Sequence, residues 1–395
     1  MKRILIPNGS FHDIPLIKTA KEMGYYVITS GNNPDQPGYI YADKYIYGDF
    51  SDKDAMLQIA INESVDAVCA NCNDFGYLSV CYVAEKLGLP GHESYKKAMI
   101  LHHKDKFKKA AVEWGLSTPR AESFVSIDDA VRWCNKNNDY PLIVKPVDLG
   151  AGQGICKIIS VKEAAKAIAE AMSKSKIKHI VIEPFIEGSS HSFNAFVVNR
   201  KVVAWYSDNE YMLFNKYRVS TSASPATEIE KALPVLIRDT NKVAEELELP
   251  DGLVHSQYIM DCNKKPQILE ITRRMSGDWY PYPEIKATGI NWMYYIVAAQ
   301  CGLNCTGITK YNGQNGYTGR HCLNAPHIGM VKAITISKEL EPYIYDRVIW
   351  RDCPYMVDNV TKDYPGILFL SFPDREIQEK YIEHISSYIS FEYVK

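Results

Sequence analysis

A lysine at the end of an apolar segment and the glycine-rich stretch behind it are well suited to bind phosphate. Leu142 to Lys145 are predicted to form a short strand. The loop that follows alternates three glycines with two other residues, in the order Gly150, Ala151, Gly152, Gln153, Gly154. Glycine tolerates positive φ, so this loop can turn backbone N–H groups toward an anion that Lys145 also reaches. The pattern matches neither the Walker signature nor GxGxxG, so these residues alone predict either a nucleotide-phosphate loop or a plain turn.

Two strand-like segments further along the chain carry polar side chains among apolar neighbours. Leu253 to Asp261 and Pro266 to Thr272 are predicted to be strands joined by a turn, and Gln257 and Glu270 lie within them. A carboxylate inside a buried strand is costly unless it is paired or bound to a metal. The two side chains are therefore candidate metal ligands, and a cross-strand polar pair is the alternative interpretation.

The elements that must position these residues begin with alternating strands and helices. Strands are predicted at Lys2 to Pro7, Tyr25 to Ser30, Lys44 to Gly48 and Asp66 to Ala70, with helices between them. This alternation is typical of a parallel, doubly wound sheet, which binds ligands at the carboxyl ends of its strands. Asn71 to Asp74 follow one of these strands, where they serve either a ligand or the next turn and helix cap.

Three later segments complete the predicted organisation. One helical segment is predicted from Ser94 to Trp114. Ser220 to Pro225 is predicted to be a polar loop, and residues 273–291 a long irregular stretch that mixes arginines, glycines and aromatic residues. Long loops without regular structure are more often functional than average, which favours a role for this stretch in binding.

Composition and charge argue against several classes of function. A net charge of -2 over 395 residues gives no basic field, so we expect no nucleic-acid partner and no membrane partner. No run of about 18 apolar residues occurs, and the start of the chain is too weakly apolar for a signal peptide, which predicts a cytoplasmic protein. The ten cysteines are then expected to be mostly packed thiols, with a metal or redox role for the pair Cys69 and Cys72 as the alternative.

The order of these features resembles the ATP-grasp superfamily, in particular the branch with biotin carboxylase, the carbamoyl phosphate synthetase large subunit and the ATP-dependent carboxylate–amine ligases. The resemblance covers nearly the whole chain and rests on the ordered set of features, not on one motif. It implies an α/β fold, α+β in parts, with three units. These are a Rossmann-like domain at 1–97, a linker helix and small lid at 98–188, and a larger metal-binding domain with a C-terminal extension at 189–395.

The resemblance assigns phosphate contacts to two lysines and the glycine loop. Lys104 stands eleven residues before Gly115, where the family has a first basic residue that contacts the nucleotide phosphates. Lys145 matches the lid lysine that contacts the α- and β-phosphates. The loop of Gly150, Gly152 and Gly154 matches the flexible segment that closes over them and excludes water.

The same resemblance implies an adenine site and a magnesium site. In the segment EPFI, backbone atoms of Glu183 and Ile186 would bind the adenine edge while Phe185 lines the pocket. Gln257 and Glu270 match the two family positions that hold magnesium, a cation that prefers oxygen ligands and neutralises a transferring phosphoryl group. ATP and Mg²⁺ are thus the expected ligands, with Mn²⁺ as an alternative ion.

Two positions depart from the family pattern. His191 stands where an acidic residue usually binds the ribose hydroxyls, and Thr272 stands where an asparagine usually completes the metal site. A histidine can accept a ribose hydrogen bond and a threonine oxygen can ligate magnesium weakly. Together the two changes leave open a catalytically degenerate ATP-binding protein.

The function that the resemblance implies is ligation of a small carboxylate to an amine, through an acyl phosphate and with release of ADP and phosphate. Arg274 would stabilise the acyl phosphate and its tetrahedral successor. Ser276, Gly277 and Asp278 would face the carboxylate substrate. A bicarbonate-activating carboxylase, of the purine-biosynthesis or biotin carboxylase type, stays the nearest alternative. Related proteins are often dimers, so a homodimer is an expected assembly.

Overall fold

The first sheet of the protein lies at the start of the chain in a computed structural model that describes residues 1–137, 139–150 and 152–394. Its four strands are β1 (Arg3–Pro7), β2 (Tyr26–Gly31), β3 (Lys44–Tyr47) and β4 (Ala67–Val68). They are parallel and lie in the order β3-β2-β1-β4. The helices of this unit are α1 (Ile14–Glu22), α2 (Lys53–Asn62) and α3 (Asp74–Leu87). The predicted parallel, doubly wound sheet is confirmed.

Strand β1 is buried on both sides, which explains its continuous apolar sequence. Ile4 and Ile6 pack into a cluster with Leu16 and Ile17 of α1, whereas Leu5 packs on the opposite side with residues of α2 and α3. Successive side chains of a strand point to opposite faces, so helices on both faces require apolar residues throughout. Strand β1 is therefore a central strand covered by helices on both faces.

Two helices join this sheet to the next one. They are α4 (Tyr95–His102) and α5 (Lys104–Glu113), so the prediction of a single helical segment from Ser94 to Trp114 is wrong in one respect. The backbone of His103 is extended, with φ −96° and ψ 116°, and it ends one helix and begins the other. The break makes Lys104 the first residue of α5, and its backbone N–H donates to the carbonyl of Val147 at 3.3 Å.

The second sheet has four antiparallel strands and helices on one side. The strands are β5 (Glu122–Phe124), β6 (Leu142–Pro146), β7 (Cys156–Ile158) and β8 (Ile180–Pro184), in the order β5-β8-β6-β7. The helices are α6 (Ile127–Lys136) and α7 (Val161–Lys174). Leu142 and Val144 of β6 pack with Ile168 of α7 in the core of this unit. The glycine loop connects β6 and β7.

The described residues 188–394 form eleven strands and four α-helices. The strands are β9 (Gly188–Val198), β10 (Lys201–Tyr211), β11 (Thr221–Ser224), β12 (Gly252–Asp261), β13 (Pro266–Thr272), β14 (Tyr317–Cys322), β15 (Gly329–Ile336), β16 (Ile344–Ile349), β17 (Tyr355–Val357), β18 (Gly366–Phe372) and β19 (Ile389–Tyr393). The helices are α8 (Ile229–Glu246), α9 (Tyr282–Thr288), α10 (Trp292–Gln300) and α11 (Arg375–Ile382). An eight-stranded sheet has the order β13-β12-β9-β10-β11-β14-β18-β16, and a three-stranded sheet has the order β17-β15-β19. The mixed α/β class is confirmed, while the predicted boundaries at 97 and 188 stay a prediction.

Two predicted loops contain regular structure. The predicted polar loop from Ser220 to Pro225 includes β11, and the predicted irregular stretch 273–291 includes α9. Both elements are buried through polar contacts: Ser224 Oγ on β11 donates to Glu284 Oε2 on α9 at 2.7 Å. Their sequences therefore lack the apolar periodicity that identifies strands and helices. Strand β14 is not predicted from the sequence for the same reason, because its polar residues face other polar groups.

The two faces of the eight-stranded sheet differ in chemistry. One face packs under α8, with Phe193, Ala195 and Val254 among its buried residues. The other face carries buried polar residues along the same strands, of which Ser192 and Asn194 on β9 are examples. Among the described residues no helix is long and apolar enough to cross a membrane. No disulfide links the ten cysteines, which are all described, in agreement with the predicted free thiols.

Candidate active site

Lys145 lies in the middle of the second sheet, at the start of the glycine loop. Its ammonium group forms an ion pair with the Glu183 carboxylate on the neighbouring strand β8. In the loop, Gly152 and Gly154 have φ values of +73° and +70°, a backbone region that favours glycine. A Cβ on Gly152 would stand 2.5 Å from the backbone oxygen of Tyr217, so the loop touches the connection between β10 and β11. Ala151 lies outside the described residues.

Lys104 connects the glycine loop to the eight-stranded sheet. Its Nζ donates to the carbonyl of Leu149, just before the loop, at 2.8 Å. The same Nζ lies 3.4 Å from Glu270 Oε2 on β13. One ammonium group thus joins the predicted phosphate loop and a predicted metal ligand.

The predicted metal ligands lie on adjacent strands with their side chains on the same face. Gln257 on β12 is directly opposite Glu270 on β13, and Thr272 follows two residues later on the same strand. Burial alone would raise the pKa of Glu270, but Lys104 and Lys145 hold it below its ordinary value, so the carboxylate is ionised. Thr272 Oγ1 is buried and has no hydrogen-bond partner in the described part of the chain.

This donor set fits a hard divalent cation. It combines a carboxylate, an amide and a hydroxyl, all of which can offer oxygen atoms to magnesium. Among residues 1–137, 139–150 and 152–394, no three His, Cys, Asp or Glu side chains form a metal cluster. A cation here would therefore depend on amide and hydroxyl oxygens beside the Glu270 carboxylate.

Arg274 lies at the end of β13 and pairs with a residue of the first sheet. Its Nε donates to Asp74 Oδ1 at 2.7 Å, and the same oxygen lies 3.1 Å from His102 Nδ1. Burial opposes ionisation of Asp74, yet Arg274 and His102 hold its pKa well below the usual range. Asp74 stands in the strand-end segment that the sequence singled out, and it brings that segment into contact with Arg274.

The segment after Arg274 meets the first sheet again at His12. Ser276 Oγ is buried without a partner among the described residues. A Cβ on Gly277 would stand 3.2 Å from His12 Nδ1, the atom that accepts the backbone N–H of Asp278 at 2.8 Å. Asp278 itself has φ +58°. This close approach explains why a glycine precedes it.

The carboxylate of Asp278 is buried beside His12 and two arginines. Burial would raise its pKa, but His12, Arg320 and Arg218 lower it well below the ordinary range. Arg320 Nη1 lies 3.6 Å from its Oδ2, and the hydroxyl of Tyr364 donates to its Oδ1. Asp278 is therefore ionised and firmly held.

A cleft opens beside Asp278. It has a volume of about 10 Å³ and is lined by the connection between β10 and β11 and by residues near β14 and β18, including Phe214, Arg218, Asn324 and Tyr364. The guanidinium of Arg218 lies 6.0 Å from the centre of the Tyr364 ring. An aromatic wall and a cation line this small cleft, which has room for about one water molecule.

The predicted hinge residues lie at the end of β8. The Glu183 side chain is buried between two lysines, because Lys108 Nζ lies 3.0 Å from its Oε2 while Lys145 contacts Oε1. Phe185 donates its backbone N–H to the carbonyl of Pro141 at 2.9 Å. Ile186 is half-buried beside it. The hinge therefore lies next to the predicted phosphate lysine.

His191 does not join this group of residues, which corrects the expected ribose contact. It lies on β9 opposite Tyr258 and stacks on that ring at 5.1 Å, on the face of the sheet under α8. Gln257 and Glu270 occupy the other face, since neighbouring strand residues alternate between faces. His191 Nε2 contacts Ser189 Oγ at 2.6 Å, and burial lowers its pKa to about 4.

Three residues beside the site were missed by sequence reasoning. Glu210 on β10 accepts a hydrogen bond from Gln257 Nε2 at 2.8 Å. Burial raises the pKa of Glu210 to about 7, although this hydrogen bond lowers it. Lys108 shares Glu183, and His255 Nδ1 contacts Asn194 Oδ1 at 2.7 Å. A signal existed for two of them: Lys108 stands one helical turn after Lys104, and Glu210 continues the polar alternation of Asp208 beyond the predicted end of its strand.

Comparison with known proteins agrees with this geometry. Residues 103–215 match the family model of the phosphoribosylglycinamide synthetase ATP-grasp (A) domain. The carbamoyl phosphate synthase large chain of Pyrococcus furiosus is 30% identical over 189 residues, which cover 48% of this chain and 17% of that protein. The chain spans less than half the length of the curated relatives it matches, 17%, 13%, 10% and 45% for the first four.

Solved structures resemble the protein over its full length. The phosphoribosylglycinamide synthetase of Anaerococcus prevotii superimposes with a TM-score of 0.78 at 22% identity, covering 100% of both chains. The L-amino acid ligase of Bacillus licheniformis has a TM-score of 0.83 at 18% identity, covering 100% of this chain and 99% of its own. Residues 103–215 thus match an ATP-grasp domain model, and the whole chain shares the fold of these solved structures.

Proposed function

We propose that the protein is an ATP-dependent ligase that activates a small carboxylate as an acyl phosphate and joins it to an amine, releasing ADP and phosphate. The observation that carries this proposal is the position of Lys104, which contacts both the glycine loop and Glu270. A phosphate-binding loop and an acidic cation ligand held by one ammonium group are what phosphoryl transfer requires. The names of the similar proteins, among them an L-amino acid ligase, support the same class of reaction.

The cationic side chains would bind the nucleotide phosphates. Lys104 and Lys145, with the backbone of Gly150, Gly152 and Gly154, would hold them under the loop. Gln257 and Glu270, with the free oxygen of Thr272, would hold Mg²⁺, or Mn²⁺ in its place. The metal would supply positive charge that stabilises the transferring phosphoryl group.

The hinge would bind the adenine ring. It leads from β8 into β9, between the second sheet and the eight-stranded sheet, and therefore adjoins the site of Lys145. Backbone atoms of Glu183 and Ile186 would bind the adenine edge, and the ring of Phe185 would cover it. The Phe185 ring carries Lys157 Nζ at 3.7 Å from its centre, so this aromatic group is already held in position.

Arg274 and the segment behind it would bind the carboxylate substrate. The guanidinium is fixed by Asp74 at Nε and by the Met275 carbonyl at Nη1, which leaves Nη2 for an anionic substrate or intermediate. Ser276, Gly277 and Asp278 lead from Arg274 to the cleft beside Tyr364.

The test is release of ADP and phosphate from MgATP in the presence of pools of amino acids and other small carboxylates, each with and without bicarbonate. Release that requires both a carboxylate and an amine is the expected result. Release that depends on bicarbonate alone would replace this proposal with a carboxylase. ATP binding without release from any pool, in an enzyme whose Thr272→Asn variant is equally inactive, would contradict the ligase function.

A further inference from the structure

We propose that Glu210 is a positioning residue that turns the amide oxygen of Gln257 toward the divalent cation. The inference rests on the proposed function, because it concerns the cation that Gln257 and Glu270 would share. Glu210 itself need not touch the metal. Its role is to decide which end of a neighbouring amide does so.

A glutamine amide has two different ends, and only its oxygen can ligate a cation. Gln257 Nε2 donates to Glu210 Oε2 at 2.8 Å, so the NH₂ end points along the sheet toward β10. The oxygen end is then left on the side of Glu270, the residue directly opposite Gln257 on β13. The hydrogen bond therefore selects the orientation that a metal site needs.

Glu210 is itself fixed in place. Its second oxygen, Oε1, accepts the hydroxyl of Tyr280 at 2.9 Å. Both carboxylate oxygens thus act as acceptors, and an acceptor beside Gln257 attracts the NH₂ end of the amide and repels the oxygen end. Glu210 is nearly inaccessible, with 7% of its surface exposed, so water does not compete for these bonds.

The contact is possible because a small residue separates the two side chains. Strand β9 lies between β10 and β12, so side chains on the outer two strands must bridge roughly 10 Å. Ser192 of β9 is directly opposite Gln257, and its short side chain leaves room above the strand. The Ser192 hydroxyl oxygen lies 3.2 Å from that of Tyr280, so the same tyrosine lies beside both Ser192 and Glu210.

Without Glu210 the amide of Gln257 would be free to rotate between its two roughly equivalent orientations. One of them presents an NH₂ group to the cation, which repels it. Loss of the group that orients a metal ligand typically lowers metal affinity about 10- to 100-fold. The direct phosphate contacts of the lysines would not change.

The experiment measures the affinity of the full chain for ADP by calorimetry at pH 8, once with MgCl₂ and once with EDTA. We expect wild type to bind ADP more tightly with magnesium. In Glu210→Gln that gain should fall about 10-fold or more, while the affinity in EDTA stays as in wild type. Glu210→Asp keeps the charge but is too short to reach Gln257, so it should lose the magnesium gain as well. It provides the test if Glu210→Gln does not fold.

Asp208→Asn is the matched control. Asp208 is a buried carboxylate on the same strand and face, but it accepts from Ser192 Oγ at 3.0 Å and has no hydrogen bond with Gln257. This variant should keep the full magnesium gain. In the double variant Glu210→Gln, Gln257→Glu the magnesium gain should return. The carboxylate at position 257 then has an oxygen at both ends, and the amide at position 210 can donate a hydrogen bond to it.

Each other outcome overturns the inference in a recognisable way. A full magnesium gain in both Glu210→Gln and Glu210→Asp would show that Gln257 needs no orienting partner, with the proposed ligase unaffected. An equal loss in Asp208→Asn would show a general effect of disturbing the buried network. No magnesium gain in wild type would remove the cation site, and with it the role of Glu210 and the proposed metal-dependent chemistry.

Discussion

Replacing Glu183 with glutamine should destabilise the protein strongly, because this one carboxylate serves two buried lysines. Lys108 and Lys145 are both nearly inaccessible and both contact it, Lys108 at 3.0 Å. Burial lowers the pKa of Lys108 to about 8 despite the attraction of Glu183. For Glu183 the balance is reversed: burial would raise its pKa, but two ammonium groups outweigh burial and lower it.

The size of the destabilisation follows from the loss of the carboxylate that the two ammonium groups share. Breaking a buried ion pair by removing one member typically costs about 3–5 kcal/mol of folding free energy. The loss should depend on pH. With Glu183 neutralised, the folded-state pKa of Lys108 falls further below its unfolded value of about 10.4, so the unfolded chain binds more protons and stability rises with pH. The penalty should therefore be greatest near pH 7 and smaller near pH 10.

The assay is urea-induced unfolding of wild type and Glu183→Gln at pH 7 and pH 9.5, followed by circular dichroism. Glu187→Gln is the control, because Glu187 is the same residue type four positions later but 76% of its side chain is exposed, with Lys157 at 4.0 Å. The free energy of unfolding of Glu187→Gln should lie within about 0.5 kcal/mol of that of wild type. Equal midpoints for the two variants at pH 7 would refute the reasoning that the buried trio holds the second sheet to α5.

Three further predictions concern turnover and acid stability. Glu270→Gln should abolish turnover while nucleotide binding stays measurable, because a metal-bound carboxylate acts mainly on the transferred phosphoryl group. Lys145→Ala should weaken ATP binding and slow turnover about a hundredfold, the scale of losing one electrostatic partner of the transition state. Burial lowers the pKa of His191 to about 4 and that of His321 to about 3. In this pH range both histidines take up a proton only when the protein unfolds. The free energy of unfolding should therefore fall by about 2 kcal/mol for each histidine between pH 7.5 and pH 5.

The outcomes that contradict these predictions are distinct. A Glu270→Gln enzyme with most of its activity would remove that residue from the chemistry. Unchanged kinetics in Lys145→Ala would exclude its phosphate contact. Urea midpoints that do not fall between pH 7.5 and pH 5, or that fall equally in a His321→Asn variant, would show that the buried histidine is not the source of acid sensitivity.

Sequence reasoning identified residues whose neighbours along the chain define their setting. Lys145 could be predicted because an apolar strand precedes it and glycines follow it. Gln257 and Glu270 could each be predicted as a polar residue within a strand, but a β-bulge between Gln257 and Tyr258, which the sequence does not reveal, places them opposite each other. The roles of these residues in binding nucleotide and metal stay predictions.

Contacts that depend on sheet order could not be predicted in this way. Glu210 meets Gln257 only because β9 lies between β10 and β12, an arrangement that involves strands far apart in sequence. Arg274 meets Asp74 across 200 residues. His191 was assigned to the wrong face because the assignment counted residues from the hinge glycine, whereas the pairing of β9 with β12 sets which residues face the site.

The position of Asp74 has a consequence for how the protein can change during evolution. Its carboxylate binds Arg274 at 2.7 Å and His102 at 3.1 Å, and a Cβ on Gly150 would stand 3.1 Å from its Oδ2. A methyl group added at Gly150 would therefore make a close contact with the Asp74 carboxylate. It would not touch Arg274, but a shift of the carboxylate would also shift Arg274. Substitutions at these four positions should be epistatic, and relatives that differ at one of them should tend to differ at the others.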